Sequence, residues 1–338
     1  MQKMKVAQIG VANFGAHRRA LMRKSGLFDL VAVYDRNPEA MACAEREDQA
    51  KPVESYAALL QTPGIEAVVI STGAKFHAEQ ILAAAELGLH VFVEKPLCST
   101  PGEVAALLEV QRRTGVVIGL GHADHRHHAI SLTIKKLIDS GTLGTLATFE
   151  KTTCHSGGLM IKPGDWRGDP EKNPGGMLFQ CGVHALHELM FYFGPVAEVS
   201  TMMRYDVNAA TQTADVAICQ LKFASGMIGT LNAYHVCAYR HTFNIFGTKA
   251  NLYRDERFFD EGTTLQLQIE NLDGKQQPLV PVTLSGETDE TGGLRSFYEG
   301  VRNGTPVYPD LLDGARAVSV VFAAEESAKT GRPVMVNR

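Results

Sequence analysis

Three sets of residues in this chain have types and spacings that could do chemistry. The first is Gly10-Val11-Ala12-Asn13-Phe14-Gly15, which follows the apolar run Lys5 to Ile9 and precedes a helical pattern through Ala16, Ala20 and Leu21. Glycines at a strand-to-helix turn let backbone N–H groups reach a pyrophosphate at the helix N-terminus. Gly10 suits the tight turn and Gly15 the close packing of helix on strand, with Ala12 standing at the second glycine of the dinucleotide fingerprint. The other reading is a plain strand–turn–helix. Asp35 ends the next apolar run, Leu30 to Tyr34, about twenty residues on, where the fingerprint has a carboxylate for the ribose hydroxyls. Its other reading is a helix cap before Asn37-Pro38. A carboxylate there repels a 2′-phosphate, so NAD is expected over NADP, although Arg36 beside it could turn toward that phosphate.

The second set is imidazole-rich. His184-Ala185-Leu186-His187-Glu188 puts two histidines at i, i+3 on one helical face, and His122, His125, His127, His128, His155, Cys154 and Cys181 add candidate ligands. The spacing matches no zinc signature, since HxxHE is not HExxH, and no metal is expected. Histidines of this kind more often donate hydrogen bonds to hydroxyls. The third set, Arg126, His155, Asp165, Trp166, Arg167 and His187, holds candidates for binding a small polar substrate. Trp166 is the single tryptophan; its ring could stack on a sugar face or on a cofactor, or Trp166 and Arg167 could simply brace the fold.

The elements that must position these residues can be read from hydrophobic patterning. Strand-like runs at Lys5 to Ile9, Leu30 to Tyr34, Ala67 to Ser71, Leu89 to Val93 and Val116 to Leu120 alternate with helical stretches at Tyr56 to Gln61, Ala78 to Leu87 and Pro101 to Arg113. Such alternation implies right-handed crossovers and a parallel sheet, whose ligands bind beyond the carboxyl ends of the strands. Gly10 to Gly15, Asp35, Ser71-Thr72-Gly73, Glu94-Lys95-Pro96 and Gly121-His122 therefore fall on one rim. After residue 125 the strong runs are Leu146 to Cys154, Val199 to Tyr205, Val216 to Leu231 around a Gly226 turn, and Phe243 to Tyr253. The alternation in Gln220-Leu221-Lys222-Phe223 suits a sheet with one covered face.

The totals set the outer limits. A chain of 338 residues with 45% hydrophobic and 21% charged residues is globular and long enough for two domains. A net charge of -4 argues against a nucleic-acid partner, and no apolar run approaches the roughly 18 residues of a membrane span. Met1 to Lys5 begins like a signal peptide, but Gln8, Asn13 and His17-Arg18-Arg19 break the apolar part, so a cytoplasmic protein is expected. The six scattered cysteines fit reduced thiols.

The segment Val91-Phe92-Val93-Glu94-Lys95-Pro96-Leu97 resembles the Glu-Lys-Pro motif of the glucose–fructose oxidoreductase, inositol dehydrogenase and rhizopine-catabolism family (Gfo/Idh/MocA). Ser71-Thr72-Gly73 with His77, Gly121-His122, Trp166 to Pro170, Gly175 to Leu178, Gly182-Val183-His184, Asn303 to Pro306 and Glu326 to Arg332 extend the likeness over nearly the whole chain. The resemblance implies a Rossmann domain over residues 1–124. A substrate and oligomerisation α+β domain over 125–338 would carry a large, open, mostly antiparallel sheet, with C-terminal helices able to pack back on the first domain. It also implies a homodimer or homotetramer and a sugar, sugar-derivative or cyclitol substrate.

In the family the motif lysine hydrogen-bonds the reacting hydroxyl and an Asp-x-x-x-His pair moves its proton; carried over, these are Lys95 and His184. Gln180 stands where the family usually has aspartate, and it can orient a partner but cannot take a proton. The resemblance therefore implies a nicotinamide-dependent dehydrogenase or reductase, and the departure at Gln180 keeps a second possibility open. That alternative is a redox-neutral enzyme with tightly bound NAD, in which transient oxidation enables elimination, glycoside cleavage or epimerisation. A nucleotide sensor without chemistry is disfavoured because Lys95 and His184 are both present.

Overall fold

The computed structural model describes residues 2–256, 263–269 and 277–336. The chain divides into two compact units, Met1–Asp124 with Asp289–Ala315, and His125–Thr288 with Arg316–Arg338.

In the first unit six parallel strands lie in the order β3-β2-β1-β4-β5-β6. They are β1 (Met4–Ile9), β2 (Phe28–Tyr34), β3 (Lys51–Pro52), β4 (Ala67–Ile70), β5 (His90–Val93) and β6 (Ile118–Leu120). Helices α1 (Phe14–Ser25), α2 (Pro38–Asp48), α3 (Tyr56–Leu60), α4 (Ala74–Glu86) and α5 (Pro101–Thr114) make the connections. The central strands are buried on both faces, which is why β4 reads Ala-Val-Val-Ile without alternation. This is the Rossmann arrangement, and every rim segment named above follows the carboxyl end of a strand.

Residues 289–315 group with the first unit. The reason is apolar burial. The helix Gly292–Asn303 lays Leu294, Phe297 and Tyr298 into the core formed by Met4, Val6, Phe28, Val69 and Phe92. Phe297 meets Phe92 edge-on at 5.6 Å between ring centres.

The second unit is built on nine strands in the order β14-β13-β12-β11-β7-β10-β9-β8-β15. Helix α6 (Ala129–Asp139) leads into β7 (Leu146–Cys154), and α7 (Val183–Phe193) precedes β8 (Val196–Arg204), β9 (Val216–Phe223) and β10 (Ile228–Tyr234). Then follow β11 (Arg240–Gly247), β12 (Ala250–Glu256), β13 (Thr263–Ile269), β14 (Val280–Pro281) and β15 (Val334–Met335). The sheet is mixed: β7 and β10 pair in parallel, while the other neighbours run antiparallel. The apolar run Phe243 to Tyr253, which reads as one strand, is two. The chain reverses at Thr248-Lys249, where the Thr248 N–H donates to Thr145 O at 3.0 Å.

Strand β9 alternates as expected, with Ala217, Cys219, Leu221 and Phe223 buried and Ile218, Gln220 and Lys222 exposed. Register carries the same phase across the sheet. Lys151, Phe243 and Arg254 occupy paired positions on β7, β11 and β12, and Thr153, His241 and Glu256 form the next row. Charged residues thus stand in an inward-facing phase.

Candidate active site

The glycine turn is held from below. Gln8, fully buried near the end of β1, donates its Nε2 hydrogens to Gly10 O at 2.9 Å and Gly15 O at 3.0 Å. Gly10 has φ 80°, and a Cβ there would lie 2.6 Å from Ser71 O, so only glycine fits between β1 and β4. Asp35 accepts from the Val11 N–H at 2.7 Å, the Ala12 N–H at 3.2 Å and the Asn37 N–H at 2.9 Å. Its carboxylate therefore orders the glycine turn, while the cap of α2 is Asn37. The Asn13 side chain does not cap α1, so no side chain at that position competes with an anion for the first turn. Phe14 is half exposed, and the exposed Arg36 lies over the Phe76 ring at 5.5 Å. Thr72 Oγ1 donates to Gln80 at 2.7 Å, and Gly73 starts α4. This donor set fits a dinucleotide: backbone amides at a bare helix N-terminus, with a carboxylate at the end of β2.

The Glu94-Lys95-Pro96 turn follows β5. Glu94 is buried, and its Oε1 accepts from Arg18 Nε at 2.6 Å. The Arg18 guanidinium lies 4.9 Å from the centre of the Phe92 ring. His77, buried on α4, sets Nδ1 2.8 Å from Pro96 O and Nε2 3.0 Å from Thr72 O; burial lowers its pKa against the pull of those two carbonyls. Lys95, between Glu94 and Pro96, is half-buried. Gly121 and the buried His122 follow β6 beside this turn, and a Cβ at Gly121 would lie 2.6 Å from Glu94 Oε2.

In the second unit Gln180 sits in a π-helical turn, Leu178–Gly182, that runs directly into α7. A π turn carries one more residue per turn than its neighbours expect and is frequent at functional sites. His184 is half-buried on the first turn of α7. His187 is not on the accessible face expected of a substrate contact: it is 2% exposed, and its ring centre lies 5.0 Å from that of the buried His125. His125 Nδ1 is 2.9 Å from Ser131 Oγ, and burial pushes the ring down to about 3.

Beneath α7 the inward-facing charges of the sheet are neutralised. Glu188 pairs with Lys151, accepts from Arg254 at 2.7 Å and from the Tyr192 hydroxyl at 3.1 Å. Burial alone would raise the Glu188 carboxyl, but the two cations hold it well below the usual range. Arg254 also reaches Glu256 at 2.9 Å, and Glu256 accepts from the Tyr239 hydroxyl at 2.9 Å. Tyr239 stacks on His241 at 4.6 Å between ring centres.

His155 accepts the Gly157 N–H on Nδ1 at 2.9 Å, with Nε2 3.5 Å from Cys181 Sγ, so it lies beside the Gln180 turn. Burial lowers the His155 pKa. Half-buried Arg126 lies in the short turn His125–His127.

Residues 4–122 match the family model for the oxidoreductase family with NAD-binding Rossmann fold, and residues 131–253 match that for the GFO/IDH/MocA C-terminal domain. The chain belongs to the Gfo/Idh/MocA oxidoreductase family. Among curated members of the Gfo/Idh/MocA family, it is 28% identical to the scyllo-inositol 2-dehydrogenase (NAD(+)) of Bacillus subtilis, over 82% of this chain and 80% of that one. It is 22% identical to the myo-inositol 2-dehydrogenase of Thermotoga maritima over 98% of each. A solved oxidoreductase from Desulfitobacterium hafniense superimposes with a TM-score of 0.92 at 27% identity, over 99% of this chain and 98% of that one. Levoglucosan dehydrogenase in complex with NADH, at 22% identity over the full length of both, shares the fold with a TM-score of 0.87.

The first unit of this Gfo/Idh/MocA chain is an NAD-binding Rossmann domain, and the chain is an oxidoreductase. Asp165, Trp166 and Arg167 form a local cluster: Asp165 accepts from the Arg167 N–H at 2.9 Å, and the Arg167 guanidinium covers the half-exposed indole at 4.6 Å. Arg167 O is taken by Asn173 and Thr213, which ties this cluster to the rest of the second unit. Among the described residues no three of His, Cys, Asp or Glu are grouped to hold a metal, and no helix is long and apolar enough to cross a membrane. Sequence reasoning missed Gln8, Arg18, Lys151 and Arg254. The available signals were a glutamine inside an apolar strand and, for Lys151 and Arg254, a charge in the buried phase of a strand.

Proposed function

We propose that the chain is an NAD-dependent dehydrogenase or reductase acting on a secondary hydroxyl of a sugar, sugar derivative or cyclitol. The observation that carries this reading is the turn at Lys95: a half-buried lysine between a buried ion pair and a carbonyl held by His77, on the same sheet rim as the glycine turn and Asp35. Relatives that act on inositols, and on 1,5-anhydro-D-fructose in Ensifer adhaerens at 25% identity over 83% of each chain, support the substrate class. Asp35 supports NAD over NADP, because a 2′-phosphate would meet its carboxylate.

The glycine turn at Gly10 to Gly15 and Asp35 would hold NAD, which would supply the hydride acceptor. Lys95 binds and orients the hydroxyl, and His184 takes the proton; Gln180, one turn earlier, orients but carries no charge. Arg126, His155, Asp165, Trp166 and Arg167 supply hydrogen bonds and a stacking face to the remaining hydroxyls. A second copy of the chain covers the open face of the mixed sheet, giving a homodimer or homotetramer.

A screen of NAD reduction against cyclitols, aldoses and anhydrosugars, with products identified in the same wells, tests the reading. Sustained cofactor reduction with one substrate, lost by about 10²- to 10⁴-fold in Lys95→Ala and His184→Ala, is expected. Gln180 gives a reason to watch for the redox-neutral alternative. Substrate loss without accumulating reduced cofactor would replace the first reading with that one.

A further inference from the structure

The buried Arg18–Glu94 ion pair adjoins Lys95, and no step of the proposed reaction uses it. We propose that Arg18 is a positioning residue for Lys95, acting through Glu94 as a buried charge clamp. The inference rests on the reading of Lys95 as the group at the reacting hydroxyl.

Residues 94–98 are fixed on both sides of the lysine. The Glu94 N–H donates to Ile70 O at 2.9 Å, and Pro96 O lies against His77. Leu97 and Cys98 are fully buried. The Glu94 side chain is 6% exposed and that of Arg18 8%. Arg18 spans the strand end, pairing with Glu94 at 2.6 Å while its guanidinium covers Phe92, two residues earlier on the same strand. Glu94 Oε2 is buried with no hydrogen-bond partner, and the missing side chain of Gly121 leaves the room it occupies. Arg18 is thus the cation that makes this buried carboxylate tolerable.

A buried carboxylate stripped of its counter-ion seeks another. The residue joined to Glu94 by a peptide bond is Lys95, with its Cα about 3.8 Å away. Without Arg18 the ammonium of Lys95 is drawn to Glu94 and turned away from substrate. The clamp therefore fixes the turn mechanically and has the Glu94 charge neutralised by Arg18 rather than by Lys95. Arg18 also stands on the helix that begins at the glycine turn, so the cofactor loop and the lysine turn share one rigid part.

The test compares Arg18→Met, Arg18→Lys and the double variant Arg18→Met/Glu94→Gln. Cofactor-free protein is labelled with acetic anhydride, and acetylation of Lys95 is read by peptide mass spectrometry against the exposed Lys75. Arg18→Met is expected to slow Lys95 labelling several-fold, while Arg18→Lys and the double variant return it to near the wild-type rate. In turnover, Arg18→Met is expected to lower kcat about 10- to 100-fold with the KM for NAD within about threefold, and the double variant to recover most of kcat. Unchanged Lys95 labelling in Arg18→Met, or losses that add in the double variant, would overturn the clamp and leave Arg18 a packing residue. Should Arg18→Met fail to fold, Arg18→Gln decides: labelling slower than wild type is expected, and an unchanged rate overturns the proposal. Turnover that survives Lys95→Ala would sink the catalytic reading instead, and the labelling experiment would still stand by itself.

Discussion

Glu188 lowers its carboxylate from α7 onto Lys151 of β7, with both side chains more than nine-tenths buried. Arg254 completes the triad from β12, two strands away, with Phe243 between the two cations and 4.6 Å from the Lys151 ammonium. Gln180, His184 and Glu188 follow one another at four-residue steps, so the anchor at Glu188 sets the rotation at which the helix presents His184.

Glu188→Gln is expected to destabilise the protein by about 3–5 kcal/mol, because it leaves two buried cations without their shared counter-ion. Scanning calorimetry measures this. Lys151→Met/Glu188→Met is expected to lose clearly less than the sum of its single variants. Additive losses would show that the pair is not coupled as its geometry implies.

Stability should also fall with acid in a window set by His125. The folded chain keeps this ring unprotonated down to about pH 3, whereas the unfolded chain protonates it near its ordinary value of 6.5. Between those limits the unfolded state binds the extra proton, so stability rises with pH by up to about 1.4 kcal/mol per unit from this one group. Urea midpoints at pH 7, 6, 5 and 4 are expected to decline more shallowly in His125→Gln than in the wild type. Parallel declines would mean that His125 protonates freely in the folded protein. Glu188 acts lower on the scale: its depressed folded pKa gives stability that is present above the ordinary carboxylate value and lost as pH falls below it.

Asp35→Ser should change cofactor preference and loop order together. The substitution removes the acceptor of the Val11 and Ala12 N–H groups and the charge that opposes a 2′-phosphate, while leaving Arg36 in place. The ratio of kcat/KM for NAD to that for NADP is expected to drop at least about tenfold, which corresponds to about 1.4 kcal/mol. A ratio that does not move would show that the carboxylate serves the turn alone.

Gly121→Ala should be costly although φ at this position is not the reason. The added methyl would lie 2.6 Å from Glu94 Oε2 and 2.8 Å from its carboxyl carbon, so the buried Arg18–Glu94 ion pair must move to admit it. A loss of about 1–3 kcal/mol is expected from such overpacking. A melting temperature within a degree of wild type would mean that Glu94 relaxes freely.

Much of the first unit was legible because its signals are local. A buried parallel strand must be apolar on both faces, so Ala67 to Ile70 and Val91 to Val93 announce themselves, and Gly10 is forced by a turn that no side chain could enter. Asn37 took the capping role considered for Asp35, because its side-chain oxygen reaches the Glu39 and Ala40 N–H groups at 3.0 and 3.4 Å. The split of Phe243 to Tyr253 was hidden, since an apolar run gives no sign of where it reverses beyond Gly247-Thr248-Lys249.

The sequence by itself determined the parallel sheet, the rim on which Gly10, Asp35, Ser71, Lys95 and His122 fall, and the family, because strand period and short motifs are properties of neighbouring residues. Tertiary structure alone decided which distant charges meet. Arg18 finds Glu94 across 76 positions, Lys151 finds Glu188 across 37, and His187 turns inward to His125. The return of residues 289–315 to the first unit was decided the same way, by an apolar helix face and the sheet surface it covers. A buried charge must be neutralised by whatever the fold brings beside it, and that choice is made by packing across long sequence separations rather than by any local pattern.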